Sequence, residues 1–350
     1  MSEEHEELIA HFVPPLGTLL AMQEEQKGSA LTQDEVSKIR DEAPCVMIPA
    51  QTFADLRKKN DYAEIHPENA FDDWQRFKCD YGLGYLPVII LSIPGNEDFK
   101  SKASKFLADK KNITFEFNAK DPDFAFHSQA LSGITEFPIN DDDVSAINKH
   151  TCILNINNAG FGSKSAPNEA LRMMQLANEL VNLGGSAVRV HSSGIAHSPT
   201  SWQRVTSIAE RHPREDLNFW NALFRAYVQL PIQSEKSIYT CGMHLLGHPE
   251  LVTELKVLQE TQPKLAIPKA SYELFSRFAH YLLAECQNGE FWSNHTYQSD
   301  FESPSYRIFW EECSLYEVGT AMHNPYGMWR FKSLEKKVSL GLIQKLFFKK

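Results

Sequence analysis

Positive charge is in short supply in this chain. Of 350 residues, 35 are Lys or Arg against 45 Asp or Glu, a formal net charge of -10. That deficit argues against DNA or RNA as the main partner, because phosphate binding wants a basic face. Cysteine is sparse too: Cys45, Cys79, Cys152, Cys241, Cys286 and Cys313 are scattered, with no C-x-x-C pair. This excludes a dense disulfide framework and fits reduced thiols in a cytoplasmic protein. No apolar run approaches the ~20 residues of a membrane-spanning helix. The acidic opening MSEEHEELIAHFVPP also lacks the apolar segment of a secretory signal. Nucleotide signatures are missing as well: there is no G-x-x-x-x-G-K-[ST], and Gly160 and Gly162 lack the third glycine of G-x-G-x-x-G. No cofactor is expected.

What is present is an ordinary globular composition, 42% hydrophobic and 23% charged, enough for one large domain or two smaller ones. Thr32 and Glu35 form a capping-box pattern that predicts a helix over the residues that follow. Cys45–Ile48 reads as a buried strand, and YLPVIILSI from Tyr85 as a strand whose Pro87 marks an edge or a start. Helical spacing follows from Glu97, then half-buried alternation over Ile113–Phe117. Residues 119–150 are rich in Asp, Pro and Ser and form the natural division between halves. Beyond them come a strand at Ile153–Ile156, a helix capped by Asn168, and a strand at Ala187–Val190. If those two strands are parallel in one sheet, a right-handed crossover joins them. Phe219–Ile232 and Ile238–Met243 read as strands, 249–260 and 270–287 as helices, and Tyr306–Trp310 as a last strand. The pattern predicts a mixed α/β protein of two sandwich-like halves, residues 1–140 and 150–330, with a basic tail over 331–350.

Four segments carry chemistry-bearing residues. HSSGIAHS, residues 191–198, brings His191, His197 and Ser193 to a strand end, where ligands collect in open α/β sheets. Histidine there would serve as base or ligand, but the G-x-S-x-G elbow of a serine hydrolase is missing. CGMHLLGHPE supplies Cys241, His244 and His248, on paper the three protein ligands of a catalytic zinc. HNPYGMW sets Tyr326 and Trp329 on a rigid turn, where aromatics make good interface anchors. Asp141, Asp142 and Asp143 form an acidic run without the alternation or glycine of an EF-hand, which leaves a solvated turn or a helix N-cap.

The stretches SAVRVHSSGIAHSPTSW, FRAYVQL, YTCGMHLLGHPEL and NPYGMWRF together resemble a bacterial family catalogued as domain of unknown function 4261. The matching positions are Ile195, His197 and Ser198, then Thr240, Gly242, Gly247, Pro249 and Glu250, over roughly residues 150–290. The resemblance implies an α/β sandwich with no established reaction, in a setting where immunity and accessory proteins are common. With the acidic balance, it makes a non-enzymatic binding protein the leading expectation: an immunity-type inhibitor of a bacterial toxin, such as a basic nuclease, binding through Asp141–Asp143, Tyr326 and Trp329. The alternatives are a hydrolase or metal-assisted enzyme working through His191 and His197, and a structural adaptor.

Overall fold

Thirteen strands arise among the described residues of the computed structural model, which are 8–59, 65–81, 83–132, 137–285 and 293–334. In chain order they are β1 Leu8–Phe12, β2 Cys45–Pro49, β3 Ile90–Gly95, β4 Ile113–Ala119, β5 Cys152–Asn158, β6 Val188–Val190 and β7 Ala196–His197. There follow β8 Gln229–Gln233, β9 Ser237–Cys241, β10 Glu250–Glu254, β11 His295–Tyr297, β12 Tyr306–Glu311 and β13 Met328–Ser333. They form a β1–β2 ribbon, a five-stranded sheet ordered β4-β5-β3-β6-β7, and a six-stranded sheet ordered β11-β12-β13-β10-β9-β8. Every neighbour pair in the five-stranded sheet is antiparallel. The six-stranded sheet is mixed, because β10 and β13 run parallel. With helices packed around these sheets, the chain is of the mixed α and β class.

Helices form where the expected local signals stand. Thr32 completes its capping box with Glu35 and opens the Gln33–Glu42 helix. Ser198 caps Pro199–Arg211 by accepting from the Ser201 amide, with Pro199 in the first turn, where its missing N–H costs nothing. Gly184, in the left-handed region at φ 116°, lies just beyond the Ala166–Asn182 helix. That helix begins before Asn168, with Ser165 at its N-cap.

Several expectations are corrected. The five-stranded sheet draws β3 and β4 from before residue 120 and β5, β6 and β7 from after residue 150. A division at 140–150 would cut β4 from β5, so the two halves share one sheet and one large core. β5 and β6 do run parallel in the same sheet, but β3 lies between them. β3 is therefore central; Pro87 precedes it and costs no ladder bond. Leu217–Tyr227, expected as strand, is a helix capped by the Asp216 side chain. Its aromatic richness reads as β, yet Phe219, Trp220, Leu223, Phe224 and Tyr227 recur at helical spacing and all are buried. The helix expected at 249–260 starts as β10 and becomes helical only at Leu255. Residues 331–333, assigned to the tail, belong to β13, while 335–350 lie outside the described residues. β2 is a strand, but Cys45, Val46 and Met47 are exposed rather than buried.

The core follows the sheets. Leu91, Ile93, Leu154, Ile156, Val188 and Val190 fill one face of the five-stranded sheet, against Phe99 and Ala103 of the Glu97–Leu107 helix and Met173 and Ala177 of the Ala166–Asn182 helix. Each such aliphatic side chain contributes roughly 1.5–3 kcal/mol by leaving water. Phe124, Ala125 and Ile147, from two short helices, cover Ile153 and Ala196 on the opposite face. A separate cluster around Trp74, Phe77, Leu20 and Val36 belongs to the N-terminal segment.

Candidate functional site

Three of the motif-bearing segments meet around one buried carboxylate, Glu250 at the start of β10. Its Oε1 accepts from the amides of Gly242 at 3.0 Å and His244 at 3.4 Å, from His244 Nδ1 at 3.0 Å and from Asn324 Nδ2 at 3.1 Å. Its Oε2 accepts from Thr240 Oγ1 at 2.7 Å and from the Met243 amide at 3.3 Å. Thr240 in turn accepts from the Leu251 amide at 2.9 Å, and Asn324 Nδ2 also reaches the His248 carbonyl. Gly242 permits this wrap: its φ is +113°, and a Cβ there would stand 2.2 Å from the Tyr227 carbonyl. Gly247, also at positive φ, is confined too: a Cβ there would stand 2.6 Å from the Ser163 carbonyl. The segment at 191–194 closes over the same turn, with Cys241 Sγ donating to the Ser192 carbonyl at 3.3 Å.

This hub decides the fate of the candidate metal set. Cys241 is bonded to Ser192, and burial pushes its thiol pKa up. His244 is bonded at both ring nitrogens, to Glu250 and to the Ala321 carbonyl at 3.1 Å. His248 is tied in through its backbone, its amide donating to the Met243 carbonyl at 3.1 Å and its carbonyl accepting from Asn324 Nδ2; desolvation and the charge of Arg76 bring its pKa down to about 3. Among the described residues no group of three or more His, Cys, Asp or Glu is arranged to hold a metal ion. The three candidate zinc ligands are therefore reassigned to the scaffold.

The histidine–serine set is divided as well. His197 is buried, with Nε2 donating to the Ala226 carbonyl at 3.1 Å and Nδ1 facing Ser201 Oγ at 3.1 Å. Desolvation lowers its pKa to about 4, so it stays neutral and packs edge-on against Trp202 at 5.2 Å. Ser193 is buried beneath the Gly242 turn, while His191 is exposed at the end of β6. No hydrogen bond joins Ser193 to either histidine, and the serine that does meet His197, Ser201, is buried with it. Tyr326 and Trp329 are both 0% exposed, so neither is the surface anchor expected of it. For Trp329 the reason is tertiary: β13 lies between β12 and β10, so its inward residues fill the core. Asp141 and Asp142 are exposed in the first turn of the Asp141–Ile147 helix. Asp143 completes a capping box with Asn140, the helix N-cap reading.

What the structure does leave open is a polar face. In an antiparallel ladder, residues directly opposite share a face, and residues two apart return to it. The register aligns Glu116, Asn155, Ser92 and Arg189 in one row across β4, β5, β3 and β6. The next row holds Thr114, Asn157 and Ile90, and the His191 amide donates to the Ile90 carbonyl beside it. Ser92 Oγ donates to Asn155 Oδ1 at 2.7 Å and Thr114 Oγ1 to Asn157 Oδ1 at 2.6 Å, which holds the side chains in place. The two short helices cover only the Ile153–Ala196 end of this face. Arg189 stands at the junction, its guanidinium carbon 5.9 Å from the Phe124 ring centre. Burial pulls its pKa down, with Asp121 opposing, and desolvation together with Arg189 lowers that of His191.

Of the residues that stand out in the sequence, this face holds His191 and Asn157, the latter conceivable with Asn158 and Lys164 as a small anion site. Asn155, Ser92, Glu116 and Arg189 escaped notice, although the signal was there. Polar residues alternate with apolar ones in LNINN and ITFEFNA, the period of a strand with one wet face. No protein-family model, no curated protein and no solved structure matches this chain.

Proposed function

We propose that this chain is a non-enzymatic binding protein, an immunity-type inhibitor of a bacterial toxin, and that its partner docks on the open half of the five-stranded sheet. The observation that carries the reading is the contrast between two sets of polar residues. Those around the two buried centres are consumed by the fold, with Glu250 enclosed by donors and His197 sealed between Ser201 and Ala226. Those of the sheet face stay in reach of a partner: Thr114 and Glu116 are exposed and Asn155 and Asn157 half-buried on rigid strands, with His191 exposed just beyond β6. Hydrogen-bonding side chains fixed on strands suit recognition of a protein surface, since little conformational entropy is lost on docking. A net charge of -10 favours a basic partner and speeds the encounter. The resemblance to domain of unknown function 4261 points the same way.

The test uses the full chain and the product of the gene beside its own, measured by calorimetry and by survival of cells expressing that product. A 1:1 complex that protects the cells, and is lost in Asn155→Arg, supports the proposal. An Asn155→Arg chain that folds and binds undiminished, or an absence of both binding and protection, overturns it.

A further inference from the structure

Arg189 has an unusual position on the open face. No hydrogen bond or ion pair engages its side chain among the described residues, and its Nε is sealed from solvent without a partner. Buried polar groups are nearly always hydrogen-bonded, so an unpartnered guanidinium nitrogen calls for a reason. The side chain is held in place from two sides. Phe124 lies 5.9 Å beneath the guanidinium carbon. The loop carrying Asp121 is pinned by the Asp121 amide donating to His150 Nε2 at 3.2 Å, and His150 Nδ1 lies 2.6 Å from the Ile147 carbonyl. Ser92, the direct cross-strand partner of Arg189, spends its hydroxyl hydrogen on Asn155. It brings Arg189 no salt-bridge partner, and Glu116, the anion of the row, stands three strands away.

Resting on the reading of this face as the docking surface, we infer that Arg189 receives a side-chain carboxylate, an Asp or Glu, of the bound protein. With Nε sealed, the two terminal nitrogens of the guanidinium present the parallel N–H donors that match a carboxylate in bidentate fashion. Charge selects this class. Asp121 is close enough to act on Arg189 electrostatically, so a phosphate dianion would meet an acidic neighbour while a single carboxylate is matched by one guanidinium. On a partner that is otherwise basic, one acidic side chain seated at Arg189 would set the register of docking.

The experiment begins without the partner. The Nε–H resonance of Arg189, identified by its absence in Arg189→Lys, is followed by NMR in the full chain during titration with propionate, chloride or inorganic phosphate at matched ionic strength. A saturable shift with propionate, several-fold weaker with phosphate and missing with chloride, is the expected result. A flat propionate titration, an equal response to chloride or tighter phosphate binding overturns the assignment. Arg189→Lys is then expected to weaken partner binding at least tenfold with its unfolding midpoint unchanged; unweakened binding removes the site from the interface. If propionate has no effect while Asn155→Arg still abolishes partner binding, this inference falls and the proposed function stands.

Discussion

Glu250 shows what one side chain does to its surroundings. A carboxylate offers only acceptors, and here every neighbour within reach is a donor. Glu250→Gln keeps the shape but turns an NH2 group toward donors. It should cost about 3–5 kcal/mol, the scale for breaking a buried charged network from one side. Urea unfolding of the variant checks this, and a loss below about 1 kcal/mol would show that the network is not the organising element. Gly242→Ala tests the same turn through the backbone. The added Cβ would meet the Tyr227 carbonyl at 2.2 Å in a residue at φ +113°. Destabilisation of more than about 1 kcal/mol is expected, the cost of the left-handed conformation alone being of that order.

At the scale of elements, the Asp141–Ile147 helix depends on its cap. Asn140 accepts from the amides of Asp142 at 2.9 Å and Asp143 at 3.0 Å, and Ile147 anchors the far end in the core. Asn140→Ala should cost about 1 kcal/mol. Hydrogen exchange should show the loss as faster exchange in this helix, with β5 unaffected. Sheet elements behave differently, because their faces are set by neighbours. β13 buries Trp329 because it lies between β10 and β12, and β2 exposes Val46 because its ribbon pairs with no third strand.

For the molecule as a whole, two buried groups pull stability in opposite directions with pH. His197 has its ordinary pKa of 6.5 lowered to about 4, so between these values the unfolded chain binds a proton that the folded chain refuses. Its contribution is present above pH 6.5 and fades as the pH falls toward 4. Asp72 has its ordinary 3.8 raised to about 7 by burial and by Asp73, so its contribution is present below pH 3.8 and fades as the pH rises through 7. Asp72→Asn should therefore stabilise the protein at pH 8 by roughly 2–4 kcal/mol and leave it unchanged near pH 3.5. It should also unmask the loss toward acid due to His197. Denaturant midpoints across this range provide the measurement, and an unstabilised variant at pH 8 would place the Asp72 carboxyl in contact with water.

Local signals were legible in the sequence wherever local chemistry decides. The capping box at Thr32, the Ser198–Pro199 helix start, the β4 alternation and the acidic helix start at Asp141–Asp143 are short-range features, complete within a turn or a strand. Which strand lies beside which depends on contacts between residues far apart in the chain, and local pattern carries no trace of these. Hence the division at 140–150 dissolved into one sheet, and an aromatic run at 217–227 became a helix because the core on one side of it rewarded helical spacing. For the same reason Cys241, His244, Tyr326 and Trp329 looked like functional groups in sequence but serve the interior. Only the tertiary structure brought Glu116, Asn155, Ser92 and Arg189 into one row, since pairing across four strands makes neighbours of residues whose spacing in the sequence says nothing of it.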